Sequence, residues 1–311
     1  MKAVKFQNNQ IEVCDVPNPT GEGILISVKS VGICGSDLHL IDSGMMNVVP
    51  GHEIAGVTPN GTEVAIEPML SCGVCYECLR GTEPYCESAL PNTMGIGIDG
   101  GMAENLIVPE RFLVPLSPNV RVSDAFLVEP LAVAVRSLLR VNARQASRVI
   151  VVGGGTIGLC CVAVARYFGA TVELAARHDH QLEAGFRLGA LPKGEEPASI
   201  VVEAAGTSSA LVSAVNFCEN GGVVAIPSTY WEQVPLPGME MGMREISLVP
   251  SITYGHSEGP RDFELAAKIL NATPELPKAL ITHRFPIDAA AEAFNAARTR
   301  SEGAIKVAID I

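Results

Sequence analysis

The chain has 311 residues, 48% hydrophobic and 18% charged, enough for two domains with sizeable apolar cores. Its formal net charge of −12 argues against nucleic acid or an anionic membrane as the main partner. Nine cysteines, with no apolar leader in MKAVKFQNNQIEV, favour metal ligation over disulfides, and the chain reads as soluble and cytoplasmic.

Residues 1 to 31 alternate around Val4, Phe6, Ile11, Val13, Ile24, Ile26 and Val28, with turn residues between, which predicts antiparallel strands and a hairpin. The stretch GICGSDLHLIDSGMMNVVPGHE follows, residues 32 to 53. It offers a soft ligand, Cys34, a borderline one, His52, and a carboxylate, Glu53, all residue types that suit zinc. Ser36 and His39 lie between them and can carry a proton. A buried Cys is also a common core filler and a lone His a common satisfied polar residue, so these residues alone leave the metal reading open.

Residues 62 to 68, TEVAIEP, predict another strand. Cys72, Cys75, Cys78 and Cys86 then stand in a C-x2-C-x2-C-x7-C pattern. Four thiolates in one short loop close a tetrahedron around zinc and leave no vacancy, the mark of a structural site. An iron–sulfur cluster is the competing reading, disfavoured by the long gap to Cys86 and the lack of a following Pro. Cys14, Cys160, Cys161 and Cys218 read as core fillers.

Residues 103 to 114 resume strand-like alternation, and the prolines at 118 and 130 suit a domain junction. Ser123-Asp124 predicts the start of a helix through Val128, Leu131, Val135 and Leu139. Next comes RVIVVGGGTIGLCCVAVARYFGA, residues 148 to 170. Its strand runs into Gly153-x-Gly155-x-x-Gly158 and then a helix, the dinucleotide-binding arrangement. Gly153 permits the tight turn, Gly155 lets pyrophosphate approach the backbone, and Gly158 lets helix and strand pack closely. The uncharged run from 149 to 165 is broken by glycines and is short for a membrane span.

The following strand, Thr171 to Ala175, ends in Ala176-Arg177 where an NAD site would place an acid for the ribose 2′-hydroxyl. Glu173 is too early in the strand for that role. Arg177 can pair with a 2′-phosphate, so the pattern favours NADP over NAD. A helix is predicted over 179 to 188. Only LPKGEEPA separates it from the next strand, too short for a further strand and helix. Strands near 199–204, 223–226 and 246–249 follow, then helices over 260–270 and 288–300 and a last strand over 304–309.

Taken together, GICGSDLH, GHE, the four-cysteine loop, DGGMAENLIVP, VEPLAVA, GGGTIG, VEAAG and ALITHRFPIDAAAEAFNAA span nearly the whole chain. In that order they resemble the zinc-dependent medium-chain alcohol dehydrogenases, most closely the sorbitol and threonine dehydrogenase-like branch. The resemblance implies an α/β architecture with a GroES-like, mostly-β catalytic domain (1–122 and 258–311). It also implies a Rossmann dinucleotide-binding domain (123–257) with a doubly wound parallel sheet. It implies Cys34, His52 and Glu129 as catalytic zinc ligands, with Glu53 a fourth ligand or an exchanging neighbour, and a second, structural zinc at the four cysteines. Ser36 then takes the alcohol proton and His39 passes it outward. Cofactor contacts fall on Gly153, Gly155, Thr156, Ile157, Gly158, Arg177, Ala205 and Gly206.

Two segments are shorter than usual for the family, one after Glu53 and one between Gly189 and Ser199, so about five strands are expected in the parallel sheet rather than six. The expected function is zinc-dependent hydride transfer between NADP(H) and a secondary alcohol, polyol or ketone, in a homodimer or homotetramer. A quinone or enone reductase on the same scaffold, or a non-catalytic NADP-binding protein, are the alternatives. The intact ligand set weighs against both.

Overall fold

The computed structural model describes residues 1–8, 10–256 and 259–311. They form two compact units. The first comprises Met1–Glu129, Tyr254–Pro277 and Ile281–Ile311, and the second Pro130–Thr253 with Lys278–Leu280.

The first unit is mostly β. Lys2–Gln7 and Gln10–Asp15 form the predicted hairpin, with Val4 opposite Val13 and Phe6 opposite Ile11. The long strand Ile24–Ile33 lies at the middle of a seven-stranded sheet, between Lys306–Asp310 and Glu53–Val57, both antiparallel to it. Ile26, Val28 and Val31 bury their side chains with Ile54, Ile66, Met94, Met102, Phe294 and Ile309 in one core. Antiparallel pairing opposes Gly32 to Glu53 and Ile33 to Val307. The middle of this sheet therefore carries the Cys34 turn, Glu53 and Lys306 side by side.

Ile281–Pro286, where the sequence predicts no regular element, is an edge strand parallel to Lys306–Asp310. Its proline, Pro286, stands at the last paired position, opposite Asp310, where a missing N–H leaves the rest of the ladder intact.

The ends of the unit are tied back by charge. Arg261 donates to the buried Glu67 at 2.8 Å, and also to the Arg111 carbonyl. Burial raises the Glu67 carboxyl to about 7, although Arg261 pulls the other way. The folded state then holds a proton that the unfolded chain releases above the ordinary value of 4.5, so this group's contribution to stability falls as pH rises from 4.5 towards 7. In urea titrations across that range, Glu67→Gln is expected to flatten the slope, the gap between the two proteins changing by about 3 kcal/mol.

The second unit has a parallel sheet of six strands. From edge to edge these are Leu191–Pro192, Thr171–Ala175, Arg148–Val152, Ala198–Glu203, Cys218–Ile226 and Ser247–Pro250. In chain order this is 3-2-1-4-5-6, the doubly wound order with a switch point between Arg148–Val152 and Ala198–Glu203. The expected count of about five is corrected to six. Leu191–Pro192 adds two residues of ladder, opposite Glu173 and Leu174, and no helix separates it from Ala198. The shortened segment thus loses its helix and most of its strand but keeps the edge. Thr156–Tyr167, Asp179–Arg187 and Ser208–Phe217 are the main covering helices. Among the described residues, no helix is long and apolar enough to cross a membrane.

Candidate metal centres and dinucleotide turn

Cys34 ends the central strand and stands at the N-cap of the helix Gly35–Asp42. The buried Asp37 reaches back to accept the Cys34 N–H at 2.9 Å, which fixes the turn that presents the thiol. His52 and Glu53 arrive on the neighbouring strand. Gly51 just before them has φ +98°, and a Cβ on Gly100 would lie 2.3 Å from its carbonyl oxygen. The chain there has no room for side chains, and the tight packing sets where His52 points.

The donor atoms of Cys34, His52 and Glu53 lie within 4.8 Å of one another. His52 Nδ1 is 3.4 Å from Asp37 Oδ1, and both residues are buried. Burial alone would lower the imidazole pKa. Asp37 and Cys34 overcome it, so His52 sits well above its ordinary value. Glu53 is 1% exposed. Lys306 Nζ, equally buried, donates to Glu53 Oε1 at 2.6 Å and to the Ile33 carbonyl at 2.9 Å. Glu53 Oε2 accepts no hydrogen bond, and it occupies the space beside Gly32 where a Cβ would come within 1.9 Å of it. A buried carboxylate oxygen without a donor, beside a thiol and an imidazole, fits a divalent cation.

Glu129, the expected third ligand, is not part of this 4.8 Å set. It starts the helix Val128–Arg140 and is 7% exposed. Burial raises its carboxyl to about 7; His52 and Lys306 draw it down, and Glu53 pushes it up. It therefore senses the same electrostatic neighbourhood. Ser36 Oγ is 3.8 Å from Cys34 Sγ, and His39 is exposed one helical turn further on.

The four Sγ atoms of Cys72, Cys75, Cys78 and Cys86 also lie within 4.8 Å of one another. Cys72 and Cys78 are 3.9 Å apart, close to the edge of about 3.8 Å that a tetrahedron with ~2.3 Å zinc–sulfur bonds requires. That spacing holds one ion and leaves no room for a multi-iron cluster. Backbone N–H groups point at the sulfurs, from Cys75 to Cys72 and from Gly73 to Cys78, both at 3.3 Å. Those of Val74 and Cys75 pull the Cys72 thiol down to about 6.

In the second unit the three glycines of the turn have different surroundings. Gly153 takes φ +109° and donates its N–H to the Ala175 carbonyl at 2.8 Å. Gly155 caps the helix Thr156–Tyr167, with nothing within 4 Å of where a Cβ would be. A Cβ on Gly158 would lie 1.9 Å from the Gly153 carbonyl oxygen. Past the next strand, Arg177 is exposed. Glu173 is turned to Arg148, at 2.6 Å, and to the Gly194 N–H, at 2.8 Å. The N–H groups of Ala205 and Gly206 both point inward to Glu203, at 2.8 and 2.9 Å. Those two residues can thus offer a ligand their carbonyls but not their amides.

Residues 20–118 match the family of alcohol dehydrogenase GroES-like domains. L-galactonate-5-dehydrogenase from Escherichia coli K12 is 28% identical, covering 90% of this chain and 89% of its own length. Sorbitol dehydrogenase from Bacillus subtilis 168 is 26% identical over 99% of this chain and 97% of its own. A proposed zinc-binding dehydrogenase from Sinorhizobium meliloti 1021, bound to NADP, superposes with a TM-score of 0.87 at 26% identity, covering 100% of this chain and 99% of its own. The chain belongs to the zinc-type medium-chain alcohol dehydrogenase family. Its place there is the sorbitol/polyol dehydrogenase-like branch, with a GroES-like domain followed by the six-stranded Rossmann sheet. It carries the four-cysteine structural zinc site and the Cys/His/Glu catalytic site of a zinc-type dehydrogenase.

Lys306 and Asp37 were not among the residues singled out from the sequence. Asp37 sits inside GSDLH, between Ser36 and His39, with nothing in the local sequence to mark it as buried. The one available signal for Lys306 was a lone lysine in the otherwise apolar strand AIKVAI.

Proposed function

We propose that the chain catalyses reversible hydride transfer between NADP(H) and a secondary alcohol or polyol and its ketone. The observation that carries this reading is the convergence of Cys34, His52 and Glu53 within 4.8 Å around an unsatisfied buried carboxylate oxygen. Zinc held there supplies Lewis acidity at the substrate oxygen, and the nicotinamide supplies the hydride acceptor. Cys34 and His52 are the fixed ligands. Glu129 completes the set, and Glu53, held from behind by Lys306, is the exchanging carboxylate. Ser36 takes the hydroxyl proton, and His39, three residues on along the same helix face, passes it to solvent. The polyol names borne by the relatives favour a polyhydroxy substrate.

NADP is favoured because Ala176 and Arg177, not a carboxylate, stand directly after Thr171–Ala175 and because Glu173 is committed to Arg148. Arg177 is free to meet a 2′-phosphate by its position at the strand end. The contact surface for the phosphates is the turn at Gly153, Gly155, Thr156, Ile157 and Gly158.

The test is oxidation of NADPH and NADH with a panel of ketoses, simple ketones and enones. The expected result is ketone reduction with NADPH preferred. Turnover of enones alone, in protein holding a single zinc, would instead support the reductase alternative. The turn makes a paired prediction. Gly158→Ala forces a backbone clash and is expected to cost about 3 kcal/mol or more in unfolding experiments. Gly155→Ala is expected to change stability by no more than about 0.5 kcal/mol. It should nonetheless weaken NADPH binding, because its methyl group occupies the approach of the pyrophosphate.

A further inference from the structure

Glu203 ends the strand Ala198–Glu203 at the switch point of the parallel sheet and is fully buried. Its Oε1 accepts the N–H groups of Ala205 and Gly206 at 2.8 and 2.9 Å. Its Oε2 accepts the Tyr230 hydroxyl at 2.7 Å and the Ser228 hydroxyl at shorter range. The loop after this strand and the loop after Cys218–Ile226 are thus tied to one side chain. The tie is close: a Cβ on Gly206, which has φ +67°, would lie 3.0 Å from the Thr229 carbonyl oxygen. The first loop also packs on the dinucleotide turn, where a Cβ on Gly153 would come within 3.0 Å of the Ala205 nitrogen.

Two backbone N–H groups on Oε1 and two hydroxyls on Oε2 are the hydrogen-bonding pattern that favours the carboxylate form of Glu203. None of the four donors carries a charge. Among the hydrogen bonds to it, the carboxylate is therefore held by dipoles and not by a paired cation. In a doubly wound sheet the adenosine half of the cofactor lies towards the strand at 171–175. The nicotinamide half then lies on the other side of the switch point, over the ends of the strands at 198–203 and 218–226.

We propose that Glu203 is a positioning residue for the nicotinamide half of the cofactor, and that its buried charge favours the oxidised, cationic ring over the reduced, neutral one. This rests on the dinucleotide reading above. It gives the charge a consequence that tying the loops together does not have. Tethering affects both redox forms alike, whereas a fixed charge in a poorly solvated place separates them.

Calorimetric titration of the zinc-loaded protein with oxidised and with reduced cofactor tests it. Glu203→Gln keeps the shape and removes the charge. It is expected to raise the ratio of the oxidised to the reduced dissociation constant by roughly tenfold. A folded variant with an unchanged ratio overturns the proposal. Tyr230→Phe keeps the charge and removes one tether, so both forms should bind several-fold weaker without a shift towards the reduced form. Unaltered binding of both forms by that variant overturns the positioning role, even if Glu203→Gln does not fold. Wild-type protein that binds neither form would overturn the cofactor reading itself, a result distinct from either of these.

Discussion

Lys306→Met is expected to destabilise the metal-free protein by about 3–5 kcal/mol, the cost of breaking a buried ion pair from one side. Lys306 and Glu53 are 2% and 1% exposed, and Nζ meets Oε1 at 2.6 Å. Without the lysine, the buried Glu53 carboxyl has lost its counter-ion and one of its hydrogen-bond donors. The loss should be smaller in zinc-loaded protein, since the ion itself then offsets that charge. Glu53→Gln changes the sign of the argument. In that background Lys306 has already lost its Glu53 carboxylate, so adding Lys306→Met should cost little or even stabilise. Denaturant titrations of the four proteins, with and without zinc, read the whole cycle. Equal cost of Lys306→Met in both backgrounds would mean that the pair is incidental.

Cys78→Ser is expected to lose one zinc per chain and with it the order of the loop from 72 to 92. This loop has little else to hold it. Its regular structure is one helical turn at Tyr76–Leu79 and a shorter one at Glu83–Tyr85. Val74, Tyr76 and Leu79 point outward, each more than 70% exposed, so the loop has almost no apolar interior of its own. Four thiolates around one ion take the place of that interior, and a binding free energy of about 10–16 kcal/mol, as in small zinc modules, can do so. Outside the sulfurs, the loop is tied by Arg111, which donates to the Ser71 carbonyl at 2.7 Å, and by His256, whose N–H points at the Gly81 carbonyl and Glu83 and whose ring Nδ1 lies 2.5 Å from Glu83 Oε1. Limited proteolysis is the direct reading: rapid cleavage between residues 72 and 92 in the variant or after strong chelation, and protection in the zinc-loaded wild type. A variant as protected as the wild type would show that the loop does not depend on its ion.

Much of this was legible in the sequence, and the reason is local. A four-cysteine pattern, a strand running into Gly153-x-Gly155-x-x-Gly158, and the pairs of alternating strands near the N-terminus all announce themselves within short windows. What stayed hidden depends on pairing across the chain. Lys306 finds Glu53 only because Lys306–Asp310 and Glu53–Val57 flank the same central strand, which sets residues 253 apart side by side. Glu203 looked like part of a short motif; its donors Ser228 and Tyr230 come from the loop after the next strand. Leu191–Pro192 is hidden because two residues carry no periodicity, and Ile281–Pro286 because only Ile281 and Phe285 give it an apolar pattern.

The most direct measurement is zinc per chain, by elemental analysis, in the wild type and in Cys34→Ser after identical loading. Two ions in the wild type and one in the variant, with ketone reduction lost and the four-cysteine loop still protected from protease, is the predicted result. Equal zinc in both proteins, or full activity in the variant, would contradict the assignment of a reactive metal to the thiol at the end of the central strand.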